Sequence, residues 1–147
     1  MKDKQIIKSL EQLLISSYCL LIKTQNYHWN VRGEAFFYLH NAFETQYQDL
    51  FLAVDNIAER IRALGEIANL TTANLLNNNT IGDADNNQDA FLMVKDLANS
   101  HHQMVEMLEK AIKQAQNSAD EATADLLISR MHSHQKAYWM LLATQKN

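Results

Sequence analysis

The sequence predicts an all-α chain: four long helices in one bundle, with a long crossover between the second and the third. Three observations predict it. The 147 residues include no proline and only three glycines, Gly33, Gly65 and Gly82, each placed where a helical pattern breaks. Helix interiors exclude both residue types. Apolar residues recur at helical spacing over long runs. One biased stretch, residues 69–89, is rich in Asn, Thr and Asp, which favour turns and caps over helix interiors.

The first helix is expected over residues 4–31. Ile7, Leu14, Leu21 and His28 form one row along it, and Ile6, Leu10, Leu13, Leu20 and Tyr27 fill the adjacent rows. The second is expected over 35–64, with Gly65 as its C-terminal stop. Its stripe is Phe36, Leu39, Phe43, Tyr47, Leu50, Val54, Ile57, Ile61 and Leu64. The crossover follows and holds one short helix at 72–77. A third long helix, over 88–115, carries Phe91, Val94, Leu97, Met104, Leu108 and Ile112. The fourth, over 119–145, carries Leu126, Leu127, Met131, Tyr138, Leu141 and Leu142. Four long helices with one long crossover describe a ferritin-like four-helix bundle.

Composition narrows the function. Charged residues make up 20% and apolar residues 47%, an ordinary globular balance, so a single domain over 1–147 is expected. The net charge of −4 argues against a whole surface built for nucleic acid or an anionic membrane. One cysteine, Cys19, forms no internal disulfide and suits a reducing cytoplasm. The N-terminal "MKDKQIIKSLEQLL" lacks the apolar core of a secretion signal, and no apolar run reaches membrane-spanning length. A cytoplasmic protein without membrane contact is the expectation.

The chemistry concentrates in the first two helices. His28 continues an apolar row, and His40 follows it across the Gly33 turn. An antiparallel hairpin turning there brings the two rings to a similar height. On the second helix, His40, Glu44, Phe51, Asp55, Ala58 and Glu59 share a row, with His40/Glu44 and Asp55/Glu59 as i, i+4 pairs. Taken alone, the acids fit ordinary helix-surface pairing, as in Glu59 with Arg62. With the two imidazoles they make a mixed N/O set that suits Fe(II), Zn(II) or Mn(II). His40 and Asp55 stand roughly 22 Å apart along one helix axis, so one ion cannot bind both from the same chain. A shared site requires the histidines of one subunit to meet Asp55 and Glu59 of another, about a two-fold axis near the middle of the second helix, between Glu44 and Asp49. No Glu-x-x-His motif occurs, which removes the alternative of a di-iron site inside one bundle.

Two segments, "YHWNVRGEAFFYLHNAFE" and "VDNIAERIRALGE", together resemble the Dps family, the miniferritins of bacteria. The family pattern is HWN, then Gly, then a second His twelve residues after the first, then D-x-x-x-E in a DxxAER context. His28, Trp29, Asn30, Gly33, His40, Asp55, Ala58, Glu59 and Arg60 stand at those positions. The likeness extends to the last helix, "TADLLISRMHSHQKAYWML". The resemblance implies a hollow homo-dodecamer with a ferroxidase centre at each two-fold interface. That centre oxidises Fe(II), preferably with hydrogen peroxide, and the shell stores ferric mineral, protecting against oxidative damage. It implies His28 and His40 as ligands from one subunit and Asp55 and Glu59 as ligands from its partner. Iron is the metal, and no organic cofactor is involved. Glu44 stands where many members have aspartate and is a further candidate ligand. Asp120 and Asp125 fall where family acids line an iron-entry pore, although acids there also complement a helix macrodipole. Trp29 is a candidate for electron transfer.

Other residues have simpler readings. Trp139 and the methionines are assigned to packing, Cys19 to a buried small hydrophobe, and His102 with Glu106 to a surface pair. His101, His132 and His134 show no ligand spacing. An alternative function is DNA compaction, since some family members bind DNA through lysine-rich tails. Here only Lys2, Lys4 and Lys8 are available, with Asp3 between two of them, so DNA binding is expected to be weak or absent.

Overall fold

The computed structural model describes residues 3–145. Five helices run α1 (Lys4–Asn30), α2 (Phe36–Ala63), α3 (Thr72–Asn78), α4 (Ala90–Asn117) and α5 (Glu121–Ala143). The four long ones match the expected spans to within about two residues, the usual uncertainty of helix ends. Two hairpins, α1–α2 and α4–α5, pack together, chiefly through α1 against α4. Among the described residues there is no strand.

The helix ends have identifiable causes. Asp3, Asp89 and Asp120 cap α1, α4 and α5 by accepting from the amides of Gln5, Leu92 and Thr123, and Thr71 caps α3 through Asn74. The helices α2 and α4 end in the same motif. At α2 the Glu66 amide returns to the Ile61 carbonyl, and at α4 the Asp120 amide returns to Ala115. Each closure needs a left-handed residue. Gly65 supplies it at φ +91°, and Ala119 supplies it at φ +56°.

The core is apolar and continuous across the four long helices. Leu10, Leu14, Leu39, Phe43, Leu50, Ile57, Ile61 and Leu97 are all fully buried, and Cys19 is buried among them. The end of α5 departs from expectation. Trp139 is 64% exposed and Leu142 42% exposed, so neither is buried in the core. Trp139, Met140, Leu141 and Leu142 are consecutive apolar residues, and a run that is apolar all round gives periodicity no face to select.

The proline-free crossover is pinned from α1. The buried Lys23 ammonium donates to the Ile81 carbonyl, to Asp96 and to Ser100, each at 3.0 Å. The Tyr27 hydroxyl donates to Asp96 at 2.6 Å and accepts from the Asp85 amide. Burial and the Asp96 carboxylate push the Tyr27 phenol well above its usual range.

A second buried polar chain joins α2, α4 and α5. Arg130 pairs with Asp49 at 3.0 Å and donates to His134 Nε2 at 3.1 Å. His134 Nδ1 lies 2.9 Å from His101 Nδ1. A guanidinium only donates. His134 therefore accepts at Nε2 and donates from Nδ1, and His101 accepts at Nδ1 and carries its proton on Nε2. Burial pushes the His101 imidazole down to about 3, helped by the Arg130 charge. Burial also holds His134 well below its usual value, helped by His101 and Arg130.

The pH dependence of stability follows. Below about pH 6.5 both histidines bind protons in the unfolded chain while the folded chain keeps them neutral. Stability is therefore full above that pH and falls as pH drops towards 3. Between pH 7 and pH 5 the pair is expected to remove on the order of 3–4 kcal/mol. Urea midpoints at the two pH values measure it, and a smaller drop is expected in His101→Gln/His134→Gln.

Candidate metal centre

The α1–α2 turn builds the predicted histidine pair. The helix α1 must end near Val31 because the chain reverses through Gly33 at φ +105°. Ending it leaves the last carbonyls of α1 without helical donors. One of them, His28 O, accepts from the Nδ1–H of His40 at 2.7 Å. His28 Nδ1–H donates in return to the His40 carbonyl, also at 2.7 Å. The rings stack with centroids 3.8 Å apart and planes 14° apart. Each imidazole thus orients the other, and one of them also satisfies the end of α1.

These bonds fix the chemistry. A carbonyl only accepts, so both neutral rings carry the proton on Nδ1 and keep a lone pair on Nε2. Backbone fixation of one nitrogen is how metal-ligating histidines are commonly oriented. The stack also sets a limit. An imidazole binds a metal at about 2.0–2.1 Å from the nitrogen, in its own ring plane. Two nearly parallel rings cannot both aim in-plane at one ion, so as ligands they would address two neighbouring positions rather than one.

Asp55 and Glu59 are exposed on α2, far along the axis from His40. Among the described residues, no three His, Cys, Asp or Glu of one chain converge on a metal position. The structure therefore brings His28 and His40 together and leaves Asp55 and Glu59 apart from them, as the spacing requires. The simpler explanation of the acids finds no support. Among the described residues neither forms an ion pair, and Arg62 donates instead to the Glu66 carbonyl at 2.9 Å. Phe51 and Leu52, beside Asp55, are 66% and 64% exposed. They share a surface groove with Tyr18, Leu21, Gln25, Tyr47 and Gln48. Glu44 is half-buried one turn beyond His40.

The remaining candidates separate. Asp120 is held by structure: it caps α5 and receives Arg60 Nη2 at 2.9 Å, while Arg60 Nε donates to Thr123. Burial pushes its carboxyl up, but the bonds from Thr123 and Arg60 outweigh this and hold it below the usual range. Asp125 is exposed on α5. Trp29 is next to His28 in sequence, yet 62% exposed. His102 and Glu106 form the expected surface pair at 3.2 Å. Sequence reasoning missed the His101–His134 pair, because residues 33 positions apart on separate helices leave no local signal.

Comparison with known proteins agrees with this architecture. A sequence model described as the ferritin-like domain matches residues 7–147. DNA protection during starvation protein 2 of Bacillus anthracis is 36% identical over 141 residues, spanning 96% of this chain and 97% of its own. The crystal structure of Dps from Staphylococcus aureus superposes with a TM-score of 0.95 at 30% identity, covering 100% of this chain and 99% of that one. Dps from Vibrio cholerae O1, described as a member of a broad superfamily of ferritin-like diiron-carboxylate proteins, superposes at 0.91 with 28% identity, covering 95% and 88%. The fold and its helix connections define a ferritin-like protein. Within that class, the chain belongs to the Dps family.

The stack is built by the chain alone, so it contributes to stability without metal. His40→Ala removes the donor to His28 O and one face of the stack. A loss of about 1–2 kcal/mol is expected in urea denaturation of chelator-treated protein.

Proposed function

We propose that this protein is a ferroxidase and iron-storage miniferritin. It binds Fe(II) at sites completed between subunits, oxidises it preferentially with hydrogen peroxide, and keeps the ferric product as mineral inside a cytoplasmic dodecameric shell. The observation that carries the reading is the His28–His40 pair, whose two Nε2 lone pairs are left free by the reciprocal Nδ1 bonds. Asp55 and Glu59 of a second copy complete the ligand set, and Glu44 is a further candidate. The exposed Phe51 and Leu52 give such a copy an apolar face to cover.

Peroxide is a two-electron oxidant and Fe(II) gives one electron, so two neighbouring ions supply one peroxide. The O–O bond breaks without releasing a hydroxyl radical, which removes a Fenton reagent. Trp29 is a candidate to supply or accept a stray electron. Asp125 is the freer of the two acids for an entry pore, since Asp120 is engaged by Arg60 and Thr123.

Shared sites make a specific prediction. His28→Ala and Asp55→Ala should each slow peroxide-driven Fe(II) oxidation at least about tenfold in shells that still assemble. Co-assembling the two variants should restore part of the rate, because one of the two sites at a mixed interface keeps all four ligands. Demonstrated mixing without recovery counts against the intersubunit arrangement.

The naming of relatives for DNA protection favours a second reading, a DNA-compacting role. The surface offers it little. Lys4 and Lys8 lie in the first turns of α1 behind the Asp3 cap rather than in an extended tail, and Lys2 lies outside the described residues. Any binding is phosphate-driven and salt-dependent. It is expected to be absent or weak at pH 7.5 and to strengthen near pH 6, with His101 and His134 too buried to contribute charge. A gel shift at pH 7.5 and ~150 mM salt decides: submicromolar retention of linear DNA promotes the second reading to equal rank.

A further inference from the structure

Four rings form one column at the α1–α2 turn. Phe36 stacks on His40 with centroids 5.1 Å apart and planes 26° apart. His40 stacks on His28, and Tyr47 meets His28 edge-on at 5.2 Å and 68°. The reciprocal hydrogen bonds hold each imidazole at Nδ1 alone. A ring tethered at Cγ and hydrogen-bonded at the adjacent Nδ1 still tilts about the line through those two atoms, and tilting swings Nε2 out of position. Phe36 and Tyr47 restrain the rings that the bonds leave free to tilt.

We propose that Phe36 and Tyr47 are positioning residues for the histidine pair, fixing the ring planes and hence the directions of the two Nε2 lone pairs. The inference rests on the metal reading given above. Both residues fell on the core stripe of the second helix by periodicity, yet both are only half-buried. Tyr47 has a second setting. It also lines the surface groove with Tyr18, Gln25, Gln48, Phe51 and Leu52. It therefore touches His28 and borders the surface that a second copy would cover. Covering the groove restrains Tyr47, and through it His28, so assembly and ligand orientation are coupled at one residue.

The test is an anaerobic Co(II) titration of the assembled, iron-stripped protein, followed by visible absorption, with thermal melts as a control for folding. Phe36→Leu and Tyr47→Leu are expected to weaken Co(II) binding by about three- to tenfold and to alter the absorption bands. Tyr47→Phe keeps the ring and should stay within about twofold of wild type. If Phe36→Leu does not assemble, Phe36→Met gives the same reading with a side chain of similar volume and no flat face. Both Leu variants binding Co(II) with wild-type affinity and spectrum would overturn the inference. So would a Tyr47→Phe loss equal to that of Tyr47→Leu, which would assign the effect to the hydroxyl. A wild-type protein that binds no Co(II), or that binds it undiminished in His28→Ala, overturns the metal reading and this inference together.

Discussion

Two hydrogen bonds, each from an imidazole Nδ1–H to the other histidine's backbone carbonyl, are the constraint around which the first hairpin is organised. They do three things at once. They give one of the orphaned carbonyls of α1 a donor, they fix the tautomer of both rings, and they set the register of α2 against α1. Ordinarily a helix end is closed by its own neighbours in sequence. Here Val31 and Asn30 close on Tyr27 O and Asn26 O in that way, while His40, twelve residues away, supplies the donor to His28 O, so part of the end of one element and the orientation of the imidazole pair are the same interaction.

The remaining buried polar groups hold the frame that keeps this hairpin in place. Lys23, Asp96 and Tyr27 tie the crossover to α1 and α4. Without such ties an Asn-rich segment would have little apolar surface to hold it. Arg60, Asp120 and Thr123 fasten the end of α2 to the start of α5. The acids Asp55 and Glu59 are thus carried on a helix anchored at both ends.

Much of this was legible in the sequence, for physical reasons that also set the limits. Periodicity placed the long helices because their buried faces are continuous. Gly33 and Gly65 marked their turns because both sit at positive φ. His28 and His40 stood out because a histidine on an apolar row needs a partner, and the spacing to Asp55 excluded one chain as the whole site. What escaped was non-local or isotropic. The partners of His28 and His40 turned out to be backbone carbonyls, which leave no mark on a sequence. His101 and His134 meet only through the packing of α4 on α5, and the aromatic column mixes residues that periodicity had assigned to the core. In the run from Trp139 to Leu142 every side is apolar, so periodicity could not separate Leu141, which is buried, from Trp139 and Leu142, which are exposed.

The molecule contains two histidine pairs of opposite Lewis character. At His28 and His40 the neighbours are carbonyls, which take up the N–H groups and leave lone pairs outward. At His101 and His134 the neighbour is the Arg130 guanidinium, which takes up a lone pair and propagates hydrogens inward. The chain of hydrogen bonds ends on a buried His101 Nε2–H that has no partner among the described residues. The first pair keeps a lone pair on each Nε2. In the other, both lone pairs are taken up by hydrogen bonds, from Arg130 to His134 Nε2 and from His134 to His101 Nδ1. Which nitrogens of an imidazole pair keep a lone pair is thus encoded in whether the adjoining group can only accept or only donate.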